Sequence, residues 1–211
     1  MWWLLVPAAY LLGSVSFAYW AGRIKGKDLR KEGSGNLGAT NAGRVLGWHW
    51  FAAVFILDIA KGTLPVLASH SANDPWLPIA VAAAAVLGHV FTCFHGFKGG
   101  KAVATSLGVL IGLAPPAAGI IFGCWLTAWL LVWLVLRLKR SDAVGPASIL
   151  AAISAVPAYL VTARPWQWPT LGFLALLAAL VLIKHRSNFA KFVGQMGRPD
   201  DRTTGRPDGL P

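Results

Sequence analysis

Seven apolar runs, at about residues 2–22, 46–69, 76–95, 102–114, 116–136, 145–162 and 169–184, restrict this chain to a bundle of helices in a lipid bilayer. In hydrocarbon every backbone N–H and C=O must be satisfied internally, so each run has to be helical. A conventional span needs roughly 20 residues, with about 17 a practical minimum. The 102–114 run falls short of that, and Pro115-Pro116 separates it from its successor. Lys98 and Lys101 precede this stretch and Arg137, Lys139 and Arg140 follow it, so it crosses twice or not at all. A hairpin turning at Pro115-Pro116, with a short first arm dipping partly into the bilayer, satisfies this parity.

The basic residues then orient the chain. Arg23, Lys25, Lys27, Arg30, Lys31 and Arg44 share one side with Lys98, Lys101, Arg137, Lys139, Arg140 and the C-terminal basic residues from Lys184 onward. Of the 19 Lys and Arg, only Lys61, within a span, and Arg164 fall elsewhere. The positive-inside rule makes the crowded side cytoplasmic. The expected fold class is an all-α integral membrane protein of about seven transmembrane helices, some short or partly inserted. Its N-terminus lies outside and its C-terminus is cytoplasmic. One domain, residues 1–197, is expected, followed by a disordered cytoplasmic tail over 198–211 rich in Pro, Asp, Arg and Gly.

A net charge of +11 raises nucleic acid as a partner, but charge placed at the ends of apolar spans reads as membrane topology instead. The first run lacks a basic n-region and precedes a basic loop, unlike a cleaved signal peptide. Cys93 and Cys124 lie in or near spans, so neither a structural disulfide nor a metal pattern is expected. Trp2, Trp3, Trp76, Trp166 and Trp168 suit an external interfacial belt.

Three polar islands then need explaining, all on the cytoplasmic side. In the first, Gly33-Ser34-Gly35-Asn36-Leu37-Gly38-Ala39-Thr40-Asn41 lies between basic residues that include Arg44. Its glycines permit positive-φ turns and close approach of N–H groups, and Ser34, Asn36, Thr40 and Asn41 add short donors; such a loop suits a phosphate. The second runs from Gly88-His89 through Lys98-Gly99-Gly100-Lys101 to Thr105, with a helix expected to start near Lys101 and aim its N-terminal dipole at an anion. The third is Lys184-His185-Arg186-Ser187-Asn188. Inside the second span, Asp58 and Lys61 share a helix face and are expected to form a structural ion pair.

Together these motifs, in this order, resemble the bacterial membrane acyl-phosphate:glycerol-3-phosphate acyltransferases, the PlsY family. The likeness spans roughly residues 1–195 and includes Asp58-x-x-Lys61-Gly62. Three features depart from the family pattern. Thr92 stands where the family has proline, Ala102 where it often has glycine, and Gln195-Met196-Gly197 where it has Gly-x-Glu.

The resemblance implies transfer of a fatty acyl group from a long-chain acyl phosphate to the 1-hydroxyl of sn-glycerol 3-phosphate. The products would be lysophosphatidic acid and inorganic phosphate. No cofactor and no metal are implied. The protein would sit in the bacterial inner membrane with a cytoplasm-facing site, coupled functionally to the enzyme that makes acyl phosphate.

On this reading Ser34, Arg44, His89, Lys101 and Asn188 are the catalytic candidates. Gly33, Gly35, Asn36, Gly38, Thr40, Asn41, Lys98, Gly99, Gly100 and His185 hold substrate or phosphate. The base is His89 or the substrate's own phosphate, the latter favoured because no carboxylate is evident to orient His89. None of the five histidines is followed by Asp in the His-x4-Asp pattern of thioester-dependent acyltransferases, which favours acyl phosphate as donor. A transporter for a phosphate ester is the competing class. It would need a polar pathway at mid-membrane beyond Asp58 and Lys61.

Overall fold

The computed structural model describes residues 1–135 and 140–196, and all its regular structure is helical. Arg137, Lys139, Gly197 and the 198–211 tail lie outside the described residues. Six helical stretches are long and apolar enough to cross a membrane, and an eleven-residue apolar helix, Val103–Leu113, lies among them.

The first run is not one helix. α1, Leu5–Ser14, and α2, Phe17–Ile24, are separated by an extended break in which Val15 takes ψ 117°. The local cause is Ser16, whose Oγ accepts from Tyr19 N–H at 3.2 Å and caps α2. A break at this depth frees carbonyls that water cannot reach, and polar side chains from other spans take them. Lys61 Nζ donates to Val15 O at 2.8 Å, and Thr92 Oγ1 donates to Ser14 O at 2.7 Å. Thr92 also caps the turn at Cys93–His95 by accepting from Phe94 N–H. Proline could accept neither role, so Thr92 does more here than adjust local geometry.

A short helix, α3 (Ala39–Leu46), precedes the second span, α4 (Trp48–Ser69), and Gly47 at φ 101° makes the corner. Next come α5 (Leu77–Val90), α6 (Val103–Leu113), α7 (Pro115–Val135), α8 (Arg140–Thr162) and α9 (Trp168–Met196). α7 starts at the two prolines, as the hairpin reading requires, because a first helical turn needs no N–H from them. At 11 residues α6 is about 16 Å long, half of a ~30 Å hydrocarbon core.

α6 packs on the C-terminal half of α4. A Cβ on Gly108 would collide with Ile59 O, so the backbones touch; Thr63 Oγ1 donates to Gly108 O at 2.9 Å. His70, just past the end of α4, meets Gly112 O at 3.0 Å. α6 does not reach the N-terminal half of α4, where Phe51, Phe55 and Asp58 line a cleft. At the far end Trp2, Trp3, Trp76, Trp166 and Trp168 are all exposed, as an interfacial belt requires.

Candidate active site

Asn41 organises the first loop. Its Oδ1 accepts from Ser34 N–H at 2.8 Å, and its Nδ2 donates to Leu29 O at 3.0 Å and Glu32 O at 3.1 Å. Gly33 turns at φ 60°, where a Cβ would strike that same Oδ1. Gly33 and Asn41 thus shape the loop from behind, while Ser34, Gly35, Asn36 and Gly38 face a cleft of about 590 Å³. Gly38 caps α3, and the first turn of α3 at Ala39 and Thr40 borders the cleft, adding a helix N-terminus.

Arg30 lines the cleft beside this loop and is held by Asp28 through contacts at 2.9 and 2.7 Å. The paired guanidinium keeps the Asp28 carboxyl down at about 2, so Asp28 stays ionised at any physiological pH. The Tyr19 ring supports both Arg30, 5.1 Å from its centroid, and His95, 4.4 Å away.

The second island folds back on the end of α5. Gly100 N–H donates to His89 O at 3.0 Å and Gly99 N–H to Val90 O at 3.1 Å, which satisfies carbonyls the helix leaves open. Gly100 also lies against His89 Nε2, where no side chain fits. It supports the loop from beneath, while Lys98, Gly99 and Lys101 line the cleft. The helix expected near Lys101 begins at Val103, with Ala102 before it in the left-handed region at φ 58°. Glycine would adopt that conformation freely, whereas alanine there costs roughly 1–2 kcal/mol. The departure at Ala102 is therefore a source of strain at the cleft wall.

His89 is buried, and its Nδ1 meets Thr105 Oγ1 at 3.1 Å. A carboxylate does lie near it, contrary to the sequence-based expectation: Asp58 Oδ1 is 3.7 Å from Nδ1. That distance is too long for a hydrogen bond. Asp58 is instead engaged by Lys61 Nζ at 2.8 Å, the expected ion pair, fully buried and with Asp58 forming part of the cleft floor. Chain separation hid the approach of Asp58 to His89, since the two lie on different spans.

The third island closes the cleft from α9. Lys101 Nζ donates to Asn188 Oδ1 at 2.7 Å. His185 Nδ1 donates to Val181 O at 2.9 Å, so the neutral ring carries its lone pair on Nε2, and His185 lines the cleft. Arg44 Nη2 donates to Asp142 Oδ1 at 3.0 Å, which ties α3 to the first turn of α8.

One cleft thus gathers residues from all three islands; Arg30, Arg44, Lys98 and Lys101 line it, with Arg30 and Arg44 paired to Asp28 and Asp142, and Asp58 is the one carboxylate among its described lining residues. Arg30, His95 and Ser141 line it without having been singled out as site residues. Arg30 carried a signal, standing three residues before Gly33 in a basic run, whereas Ser141 and the aromatic wall of Phe51, Phe55 and Trp125 carried none. Beyond that wall a groove of about 680 Å³ continues from the cleft, lined by Trp48, Phe51, Phe55, Phe122, Trp125 and Trp129.

The family model for "Glycerol-3-phosphate acyltransferase" matches residues 3–195. The glycerol-3-phosphate acyltransferase of Aquifex aeolicus is 41% identical over 191 residues, covering 90% of this chain and 94% of its own length. That of Pseudomonas savastanoi pv. phaseolicola is 42% identical over 195 residues, covering 89% and 92%. Among solved structures, two crystal structures of PlsY (YgiH), an integral membrane glycerol 3-phosphate acyltransferase, are similar. Its glycerol 3-phosphate form matches with a TM-score of 0.81 and 38% identity over 93% of this chain and 94% of that one. Its lysophosphatidic acid form matches with a TM-score of 0.78 and 38% identity over 91% of each.

Proposed function

The chain belongs to the glycerol-3-phosphate acyltransferase family, and from that premise we propose that it moves a fatty acyl group from an acyl phosphate to the 1-hydroxyl of sn-glycerol 3-phosphate. The observation carrying this reading is the junction of two unlike spaces. A basic polar cleft suits the phosphates, and the aromatic groove that continues from it suits a tail, with Arg44, Phe55 and Trp125 bordering both.

The chemistry asks mainly for positioning. The substrate hydroxyl oxygen attacks the acyl carbonyl carbon, the bond from that carbon to the phosphate oxygen breaks, and inorganic phosphate leaves. Acyl phosphate is already activated, so the residues need to hold two anions in register and stabilise the oxyanion. Fixed geometry alone can supply up to ~7–11 kcal/mol.

Arg44, Lys98, Lys101 and the α3 N-terminus share the two phosphates; Ser34 and Asn188 orient phosphate and glycerol hydroxyls; His185 offers Nε2 as an acceptor. Gly35, Asn36, Gly38, Thr40 and Gly99 shape the rim. The proton goes to the substrate's own phosphate, because His89 is held by Thr105 rather than by a carboxylate and supports the Gly99-Gly100 turn. The basic end carrying the cleft faces the cytoplasm of a bacterial inner membrane by the positive-inside rule. Acyl phosphate would come from a separate enzyme.

The test is the purified protein in detergent with palmitoyl phosphate and glycerol 3-phosphate. Phosphate release that requires glycerol 3-phosphate, with lysophosphatidic acid formed in equal amount, is expected. Flux across vesicles without turnover would instead make the protein a transporter. In the same assay His89→Asn should run slower than wild type but keep the shape of the pH–rate profile. Loss of its neutral-pH limb would make His89 the base.

A further inference from the structure

Of the four basic residues that line the cleft, Arg44 alone also borders the aromatic groove; among the described residues, Arg30, Lys98 and Lys101 border the cleft only. Arg44 shares this seam between the two spaces with Phe51 and Phe55 from α4, Trp125 from α7 and Ser141 from α8. An acyl phosphate has to cross the seam, because its phosphate belongs in the basic cleft and its alkyl chain in the apolar groove. Glycerol 3-phosphate has no tail and can lie wholly within the cleft. The cation at the seam is therefore placed for the anion that carries the acyl chain.

Arg44 stands in the last turn of the short α3 with about a third of its side chain exposed, so without a partner its head would sample many rotamers. Asp142 supplies that partner from α8, its Oδ1 accepting from Arg44 Nη2 at 3.0 Å. A guanidinium carries five N–H donors in a rigid fork, so one bond at Nη2 sets its direction and leaves other donors able to meet a phosphate. Asp142 is itself anchored. It lies in the first turn of α8, where the helix dipole favours a carboxylate, and Ser141 Oγ donates to the same Oδ1 at 3.3 Å. That turn is fastened to α7: Trp129 Nε1 donates to Arg140 O at 3.0 Å, and the Arg140 guanidinium lies 4.5 Å from the Trp133 ring centroid.

We propose that Asp142 is a positioning residue that holds the Arg44 guanidinium at the seam, aimed at the phosphate of the acyl donor. This rests on the acyltransferase reading above. Asp142 lines neither the cleft nor the groove, so its charge backs the guanidinium rather than facing the anion. Without the carboxylate, Arg44 keeps its charge but loses its direction. Capture of the anion with a tail weakens, while Lys98 and Lys101, which border the cleft alone, stay as they are for glycerol 3-phosphate.

The measurement is a pair of KM values in detergent, for palmitoyl phosphate with glycerol 3-phosphate saturating and for glycerol 3-phosphate with palmitoyl phosphate saturating. Asp142→Ala should raise the first by about fivefold, between the effects of losing an exposed ion pair and a charged hydrogen bond. The second should stay within about twofold of wild type, on the same scale. Asp142→Asn keeps an oxygen acceptor at the same place and should restore the wild-type KM for palmitoyl phosphate. If Asp142→Ala does not insert, Asp142→Leu reads the same split. A carboxylate that merely tied α3 to α8 would lower the unfolding midpoint and raise both KM values together, which overturns the proposal. A KM for palmitoyl phosphate that falls also overturns it, because Asp142 would then compete with the substrate for Arg44. So does an active Asp142→Ala with both values unchanged, and each of these outcomes leaves the acyltransferase reading intact. A wild type that releases no phosphate from palmitoyl phosphate with glycerol 3-phosphate overturns both.

Discussion

Alanine at Lys101 is expected to lower kcat/KM for acyl transfer by two to three orders of magnitude while the protein still inserts and purifies normally. Lys101 lies in the segment that α5 holds through Gly99 and Gly100, and its ammonium reaches Asn188 on α9 at 2.7 Å. It therefore joins two walls of the cleft at the place where the phosphates would sit. In a site walled off from bulk water a preorganised donor is worth far more than in solution. Removing one such donor from an oxyanion site typically costs ~3–4 kcal/mol. If the charge acts on the departing phosphate, kcat and kcat/KM fall together; if it acts only on ground-state binding, KM rises and kcat holds. Lys101→Arg should not rescue, since a planar fork does not replace a compact ammonium on a loop this closely packed. Turnover of Lys101→Ala within a few-fold of wild type would remove Lys101 from the chemistry.

The second large effect concerns folding. Lys61→Met should lower the unfolding midpoint in detergent by on the order of 10 °C. Lys61 and Asp58 are 1% and 3% exposed, and Lys61 also caps the Val15 carbonyl at the break between α1 and α2. Removing the ammonium leaves a buried carboxylate and a buried carbonyl without their partner, and breaking one side of a buried pair costs about 3–5 kcal/mol. Adding Asp58→Leu should recover part of that loss, because an apolar pair of similar volume avoids the unpaired charge. The recovery stays incomplete, since Val15 O remains unsatisfied in both variants. A midpoint for Lys61→Met within ~2 °C of wild type would mean that the pair contributes nothing to the fold.

Particular residues show where reading the chain succeeds and where it stops. Ser34, Arg44, Lys101 and Asn188 were legible because each belongs to a local pattern that no apolar span needs. The structure brings all four to one cleft. Gly33, Asn41 and Gly100 belong to the same patterns yet turn away from it, as supports for the loops that line it. A motif marks a loop, and only packing divides that loop into residues that face a ligand and residues that brace it. The helix start expected near Lys101 falls at Val103. The Gly-Gly pair signals a turn, and the turn ends two residues later, past Ala102 at φ 58°.

What the sequence determined by itself was the solvent and the element type, with the side of the bilayer an expectation from its basic residues. Those properties accumulate residue by residue along the chain, through hydrophobic partition and the placement of Lys and Arg. What only the tertiary structure decided were the partners: Lys61 with Val15, Thr92 with Ser14, Arg44 with Asp142, separated by 46, 78 and 98 positions. Such pairs depend on how helices lie against one another. A six- or ten-residue window carries no information about the carbonyl or carboxylate it will meet from another span. The break at Val15 and the short α6 both arise from that packing, and they shape the cleft into which the sequence motifs project.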